Sequence, residues 1–173
     1  RNRGYDMRLE AMHGGLGRLR GAVGVQLTGF DFAALGDEAF VPSTSTGARA
    51  LFIYEELPIG RLKLTFGARH ERTEVRSAGG GPTDPNTGQP RFDPPQSLGF
   101  NGNSGALGAV YAFTPVVSLA LNGAYTERAP TFYELFANGP HAATGAYEVG
   151  SASFGKEKSK SLDLALRMKS GRH

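Results

Sequence analysis

The sequence predicts an all-β fold, in which about seven antiparallel strands form a meander that is part of a larger transmembrane β-barrel. Apolar and polar residues alternate along most of the chain, and this period of two is typical of a strand with two unlike faces. No window approaches the ~18 uninterrupted apolar residues of a membrane-spanning helix. The connections between strands alternate between short and long, as they do in outer-membrane barrels.

The strand predictions follow the alternation along the chain. The seven predicted strands are residues 4–12, 19–30, 48–57, 61–76, 99–113, 117–128 and 161–169. The pattern is cleanest in the fourth, where Leu62 and Leu64 alternate with Lys63 and Thr65. We expect the apolar faces to meet lipid and the polar faces to line a watered lumen.

The connections set the orientation of the predicted meander. Short turns fall near residues 13–17, 58–60 and 114–115, and long loops near 31–47, 77–98 and 129–157. In a meander, all the short turns lie at one end and all the long loops at the other. This arrangement predicts periplasmic turns, external loops and an aromatic girdle at Tyr111 and Phe113. The loop at 77–98 is rich in Gly and Pro and is predicted to contain neither strand nor helix.

Composition excludes several classes of function. The net charge is only +3 and the basic residues are scattered, so the sequence lacks the basic stripe of a nucleic-acid binder. There is no Cys, which removes disulfides and thiolate chemistry. No catalytic triad or pair of carboxylates is recognisable, so we predict that the protein is not an enzyme.

One long motif resembles a known family. The segment ERAPTFYELFANGPHAATGAYEVG begins at Glu127 and is followed by KEKSKSLDL. It is similar to the late-barrel segment of TonB-dependent outer-membrane receptors, in which such a segment leads into an external loop and the next strand. Ser153 and Phe154 depart from the Asn-Leu pair that is more usual in that family.

The resemblance implies a location, partners and a cargo. Receptors of this family reside in the bacterial outer membrane and close a barrel of about 22 strands around an N-terminal plug. They take up a metal chelate of the siderophore type, haem or a metal ion. Energy comes from the inner-membrane TonB complex, and no cofactor is implied. Residues 1–173 are predicted to be a fragment of the barrel domain, because both ends of the sequence look like cuts. Two unpaired strand edges predict that such a fragment self-associates.

The motif also contains the candidate site residues. Phe132, Tyr133, Phe136 and Tyr147 are predicted either to contact a ligand or to pack the base of the loop. Arg128 is expected on the lumen face, opposite Glu127, where it holds an anionic solute or pairs with the plug.

A metal site is a further hypothesis. His141, Glu134 and Glu148 carry imidazole and carboxylate groups that bind transition metals. An ordinary exposed loop histidine is the alternative.

Two other functions fit the pattern of faces. One is a non-transporting outer-membrane barrel of the adhesin or autotransporter type. The other is a soluble antiparallel β module that binds a ligand and buries its apolar faces between two sheets. The alternation of loop lengths and the long motif argue against both.

Overall fold

The computed structural model describes residues 1–34, 36, 39–84, 87–141 and 145–169. Parts of the three predicted long loops and the last four residues lie outside these ranges. The described chain contains β1 (Asn2–Leu16), β2 (Leu19–Phe32), β3 (Thr44–Ile59), β4 (Leu62–Ser77), β5 (Gly80–Thr83), β6 (Pro90–Phe92), β7 (Gln96–Ala112), β8 (Val117–Arg128), α1 (Phe132–Phe136), β9 (Asn138–His141), β10 (Ala146–Val149) and β11 (Glu157–Met168). Within it, no helix has the length and apolar content needed to cross a membrane.

Seven strands form one antiparallel sheet in the order β1-β2-β3-β4-β7-β8-β11. All seven are predicted strands, so the meander is confirmed. The predicted starts of β3 and β11, at residues 48 and 161, are four residues late, because the strands begin at Thr44 and Glu157. These missing residues are polar, and a strand that extends beyond the apolar zone no longer shows the alternation used to find it.

The prediction that residues 77–98 contain no strand is wrong. Strands β5 and β6 pair there as a small hairpin. Gly79, Gly80 and Gly81 have φ values of 64°, 71° and 84°, a backbone region that glycine adopts without strain. Pro90 opens β6 in a two-stranded ribbon, where its missing N–H costs little.

The two faces of the main sheet differ as the alternation predicts. Large apolar side chains remain exposed on one face, including Leu9 at 74%, Leu107 at 71% and Leu162 at 76%. All seven strands belong to one sheet, and no second large sheet among the described residues covers this face. The sandwich expected of a soluble module is therefore absent from the described chain.

The apolar zone runs diagonally across the sheet. The register row through Leu162 passes through Leu107 and Phe66, then reaches Glu55, Gly21 and His13. In β1 the apolar run lies nearer the long-loop end, at Met7 and Leu9. A level apolar band on this sheet requires strands that tilt, as they do in a barrel wall.

Glycines in β2 let the sheet accept large neighbours. A Cβ at Gly24 would lie 2.4 Å from the Phe52 ring and 2.7 Å from the Leu9 carbonyl oxygen. The Phe52 ring in turn lies 4.2 Å from the Arg8 guanidinium carbon. The bare backbone at Gly24 is therefore the floor on which this cation–π pair rests.

We predict that Gly24→Val destabilises the full-length protein by about 1–3 kcal/mol, because the added side chain displaces Phe52. Thermal unfolding in detergent measures the loss. Gly99→Val is the matched control, since a Cβ at Gly99 in β7 meets nothing within 4 Å. Equal unfolding temperatures for the two variants would contradict this account of β2.

Candidate functional site

The helix α1 interrupts the motif directly after β8. Pro130 and Thr131 precede its first turn, and Thr131 donates from its backbone N (2.7 Å) and its hydroxyl (2.8 Å) to the Glu134 carboxylate. This contact is one half of a capping box, in which the third helical residue returns to the residue that starts the helix. The sequence APTFYE therefore encodes a sharp stop to β8 and a single helical turn.

Arg128 ties this helix to the two flanking strands. Its guanidinium donates two parallel hydrogen bonds to Glu134, at 2.9 and 3.0 Å. It also donates to the Glu157 carboxylate at 2.9 and 2.6 Å. Arg128 ends β8 and is the register partner of Glu157 in β11. One cation thus joins β8, α1 and β11, and its charge is matched by two carboxylates.

The same contacts set the acidity of Glu134. Hydrogen bonds from Arg128 and from the Thr131 backbone N–H favour the ionised carboxylate and lower the pKa of Glu134 to about 2. Its ordinary value is 4.5. The carboxylate is therefore charged at all physiological pH values and holds the loop base as a fixed anion.

A second ion pair clamps the loop base from the other face. Lys156 donates to the Glu127 carboxylate at 2.5 Å, and Glu127 also accepts hydrogen bonds from the Tyr125 hydroxyl and the Asn103 backbone N–H. The Glu127 side chain is only 7% exposed. Neighbouring residues of β8 therefore serve opposite faces, as alternation predicts, although the Lys156 partner is not evident from the sequence.

The predicted aromatic contacts divide into two pairs. Phe136 is 8% exposed and packs with Leu135 and Val75 in a small core at the loop base. The Phe132 ring stacks on Phe32, with centroids 4.8 Å apart. These two phenylalanines therefore pack the loop, which was the alternative to ligand contact. Tyr133 and Tyr147 remain 45% and 60% exposed.

Asn138 joins the three long loops. Its backbone N–H donates to the Phe40 carbonyl (2.8 Å), and its side-chain amide donates to the Arg91 carbonyl (2.7 Å). The Tyr147 hydroxyl donates to the Asn138 side chain at 3.0 Å. Arg91 also donates to the Ala39 carbonyl at 2.9 Å. The described parts of residues 31–47, 77–98 and 129–157 thus pack together, and we name this assembly the loop cluster.

The loop cluster encloses a cavity of about 240 Å³. This volume is slightly below the ~300–1,000 Å³ of typical small-molecule pockets. Side chains from all three loops form its wall: Pro42, Phe92, Gln96, Asn138, Val149 and Ser151. Sequence reasoning missed these residues, because nothing local in the sequence brings loops so far apart together.

The predicted metal ligands lie in two different groups. His141 Nδ1 lies 2.7 Å from a Glu148 oxygen, and the imidazole stacks on the Phe40 ring at 4.6 Å. Glu134 belongs instead to the Arg128 network. In the described ranges, no group of three or more His, Cys, Asp or Glu side chains has a geometry that suits a metal ion. The hypothetical set of three ligands is therefore not assembled in this structure.

Comparison with protein families gives one finding. The family described as "TonB dependent receptor-like, beta-barrel" matches residues 2–173. The match spans the seven-stranded sheet and the loop cluster together.

The low pKa of Glu134 gives a prediction for acid conditions. The ionised carboxylate stabilises the loop fully above pH ~4.5, and this stability is lost as the pH falls through about 2. A spin label at Ser153 should therefore gain mobility over this range in the full-length protein. In Glu134→Gln the label should already be mobile at neutral pH, because the fixed anion is gone.

Glu148→Gln is the control, since Glu148 lies in the same loop but outside the Arg128 network. It should keep the acid transition of the wild type. An unchanged transition in Glu134→Gln would show that another group governs the loop.

Proposed function

The chain belongs to the TonB-dependent receptor β-barrel family, whose members transport solutes across the outer membrane, and from this premise we propose its cargo and its binding surface. The cargo is a metal chelate of the siderophore type, haem or a metal ion. The loop cluster binds it on the external side, and the N-terminal plug lies below in the lumen. The inner-membrane TonB complex supplies the energy for uptake.

The observation that carries this proposal is the packing of three long loops into one cluster with exposed aromatic groups. Ion pairs and a small apolar core hold the cluster in one arrangement before any ligand arrives. A preformed surface loses less conformational entropy on binding. Tyr133 and Tyr147 present rings and hydroxyls that suit a cargo with both flat apolar and polar parts.

The polar face of the sheet supports a route for the cargo and a seat for the plug. Gln26 donates to Asp6 at 2.9 Å and accepts from Arg69 at 2.9 Å. Arg69 is also paired with Glu71, whose other oxygen accepts from Thr73. This line of hydrogen-bonded charges crosses β1, β2 and β4. It suits contact with water and with a polar plug surface rather than with lipid.

Arg128 fits a supporting role in this proposal. Its two carboxylate partners leave it no net charge to offer an anionic cargo. It positions α1, and therefore Tyr133, at the top of β8. The His141–Glu148 pair is the proposed polar contact within the loop cluster, where an imidazole can approach a chelated metal.

We predict that the double substitution Tyr133→Ala and Tyr147→Ala weakens cargo binding roughly tenfold or more, since exposed aromatic anchors dominate many binding surfaces. Calorimetry on the detergent-solubilised full-length receptor measures this with a panel of ferric chelates, haem, cobalamin, zinc and copper. The unfolding temperature should not change.

Tyr111→Ala is the matched control, because Tyr111 is similarly exposed, at 42%, at the opposite end of the sheet. Wild-type affinity in the double variant would place the cargo elsewhere. Failure of every member of the panel to bind would favour a non-metal solute or a non-transporting barrel.

A further inference from the structure

Two arginines lie opposite each other on the apolar face of the sheet. Arg49 in β3 is the register partner of Arg72 in β4, and both side chains are exposed. Like charges placed directly across two strands repel each other. Neither guanidinium has a hydrogen bond or ion pair with the part of the chain that the structure describes. Both strands lie inside the sheet, so the pair is not a consequence of an open edge.

The pair borders the apolar zone on the long-loop side. In β3, Arg49 is followed on the same face by Leu51 and Ile53, which are 57% and 38% exposed. Leu27 in β2 flanks Arg49 in the same register row. A barrel with external long loops therefore places both arginines where the hydrocarbon of the outer leaflet meets its headgroups.

The two arginines border an open depression of about 320 Å³, which Tyr5 also lines. Gly47 forms part of its floor, and a Cβ there would meet nothing within 4 Å. Glu74 is the carboxylate in the depression. It accepts from Arg76 at 2.9 Å and from the Ser97 hydroxyl at 2.8 Å, so its charge is already matched. The depression therefore has an excess of two positive charges.

We propose that Arg49 and Arg72 bind the phosphate group of an anionic lipid in the external leaflet of the outer membrane. A phosphate between the two guanidiniums removes their repulsion and accepts the planar, forked hydrogen bonds that arginine donates. The acyl chains then lie along Leu51 and Ile53. The proposal rests on the membrane location of the family and is independent of the cargo.

The test uses the delipidated full-length receptor in detergent and two lipids with identical acyl chains, phosphatidic acid and diacylglycerol. Native mass spectrometry and fluorescence titration measure the binding of each lipid. The wild type should bind phosphatidic acid roughly tenfold or more tightly than diacylglycerol. Arg49→Gln with Arg72→Gln should abolish this preference. Arg49→Lys with Arg72→Lys should retain most of it, because the charges remain.

Arg20→Gln with Arg167→Gln is the matched control, since it removes the same charge from exposed positions on the polar face. A preference for phosphatidic acid that survives in Arg49→Gln/Arg72→Gln would overturn the proposal. Displacement of the lipid by millimolar inorganic phosphate would also overturn it, because the site would then be a free-anion site. Cargo binding is measured on the same samples, so a failure of this proposal is distinguishable from a failure of the transport proposal.

Discussion

The continuous antiparallel ladder of the main sheet is the constraint on which the other features depend. Lipid offers no hydrogen bonds, so the backbone groups of a membrane-spanning strand must be satisfied by neighbouring strands. β2, β3, β4, β7 and β8 each have a partner on both sides, whereas β1 and β11 form the edges of the sheet in this chain. The side-chain alternation follows directly, because a wall one strand thick meets lipid on one face and water on the other.

Glycine makes that ladder compatible with large side chains. β2 shows this most clearly, since three of its glycines lie beneath a neighbour's side chain. Tyr5 covers Gly29, Phe52 covers Gly24 and the Glu55 carboxylate covers Gly21. Each bare backbone segment allows a bulky group to lie flat on the sheet. The high glycine content of the sequence therefore serves close packing as well as turns.

The loop cluster extends the sheet rather than hanging from it. Arg128 on one face and Glu127 on the other anchor the motif where β8 ends. Val75, near the end of β4, is fully buried beneath Leu135 and Phe136. Order in the binding surface thus begins with strand residues, and the exposed tyrosines gain their positions from this base.

The sequence predicts the strands well and the loop contacts poorly, for a physical reason. Alternation is a local signal, so Leu62 and Leu64 identify β4 without knowledge of its neighbours. The ligation of Glu134 by Arg128, six residues earlier, is partly readable, because the capping motif at Thr131 is local too. The contacts of Asn138 with Phe40 and Arg91 join residues that are far apart in sequence. The β5–β6 hairpin was missed because Gly and Pro are evidence against strands in general but not against a short twisted ribbon.

The most direct test of the central claim is the depth and environment of spin labels along β4 in the full-length receptor, reconstituted into a bilayer. Labels at Leu62, Leu64 and Phe66 should be accessible to oxygen, which concentrates in lipid. Labels at Lys63 and Thr65 should instead respond to a water-soluble nickel complex or be shielded by the plug. Alternating accessibility with this phase is the result that we expect for a barrel wall. Uniform accessibility, or alternation with the opposite phase, would contradict the assignment of the apolar face to lipid.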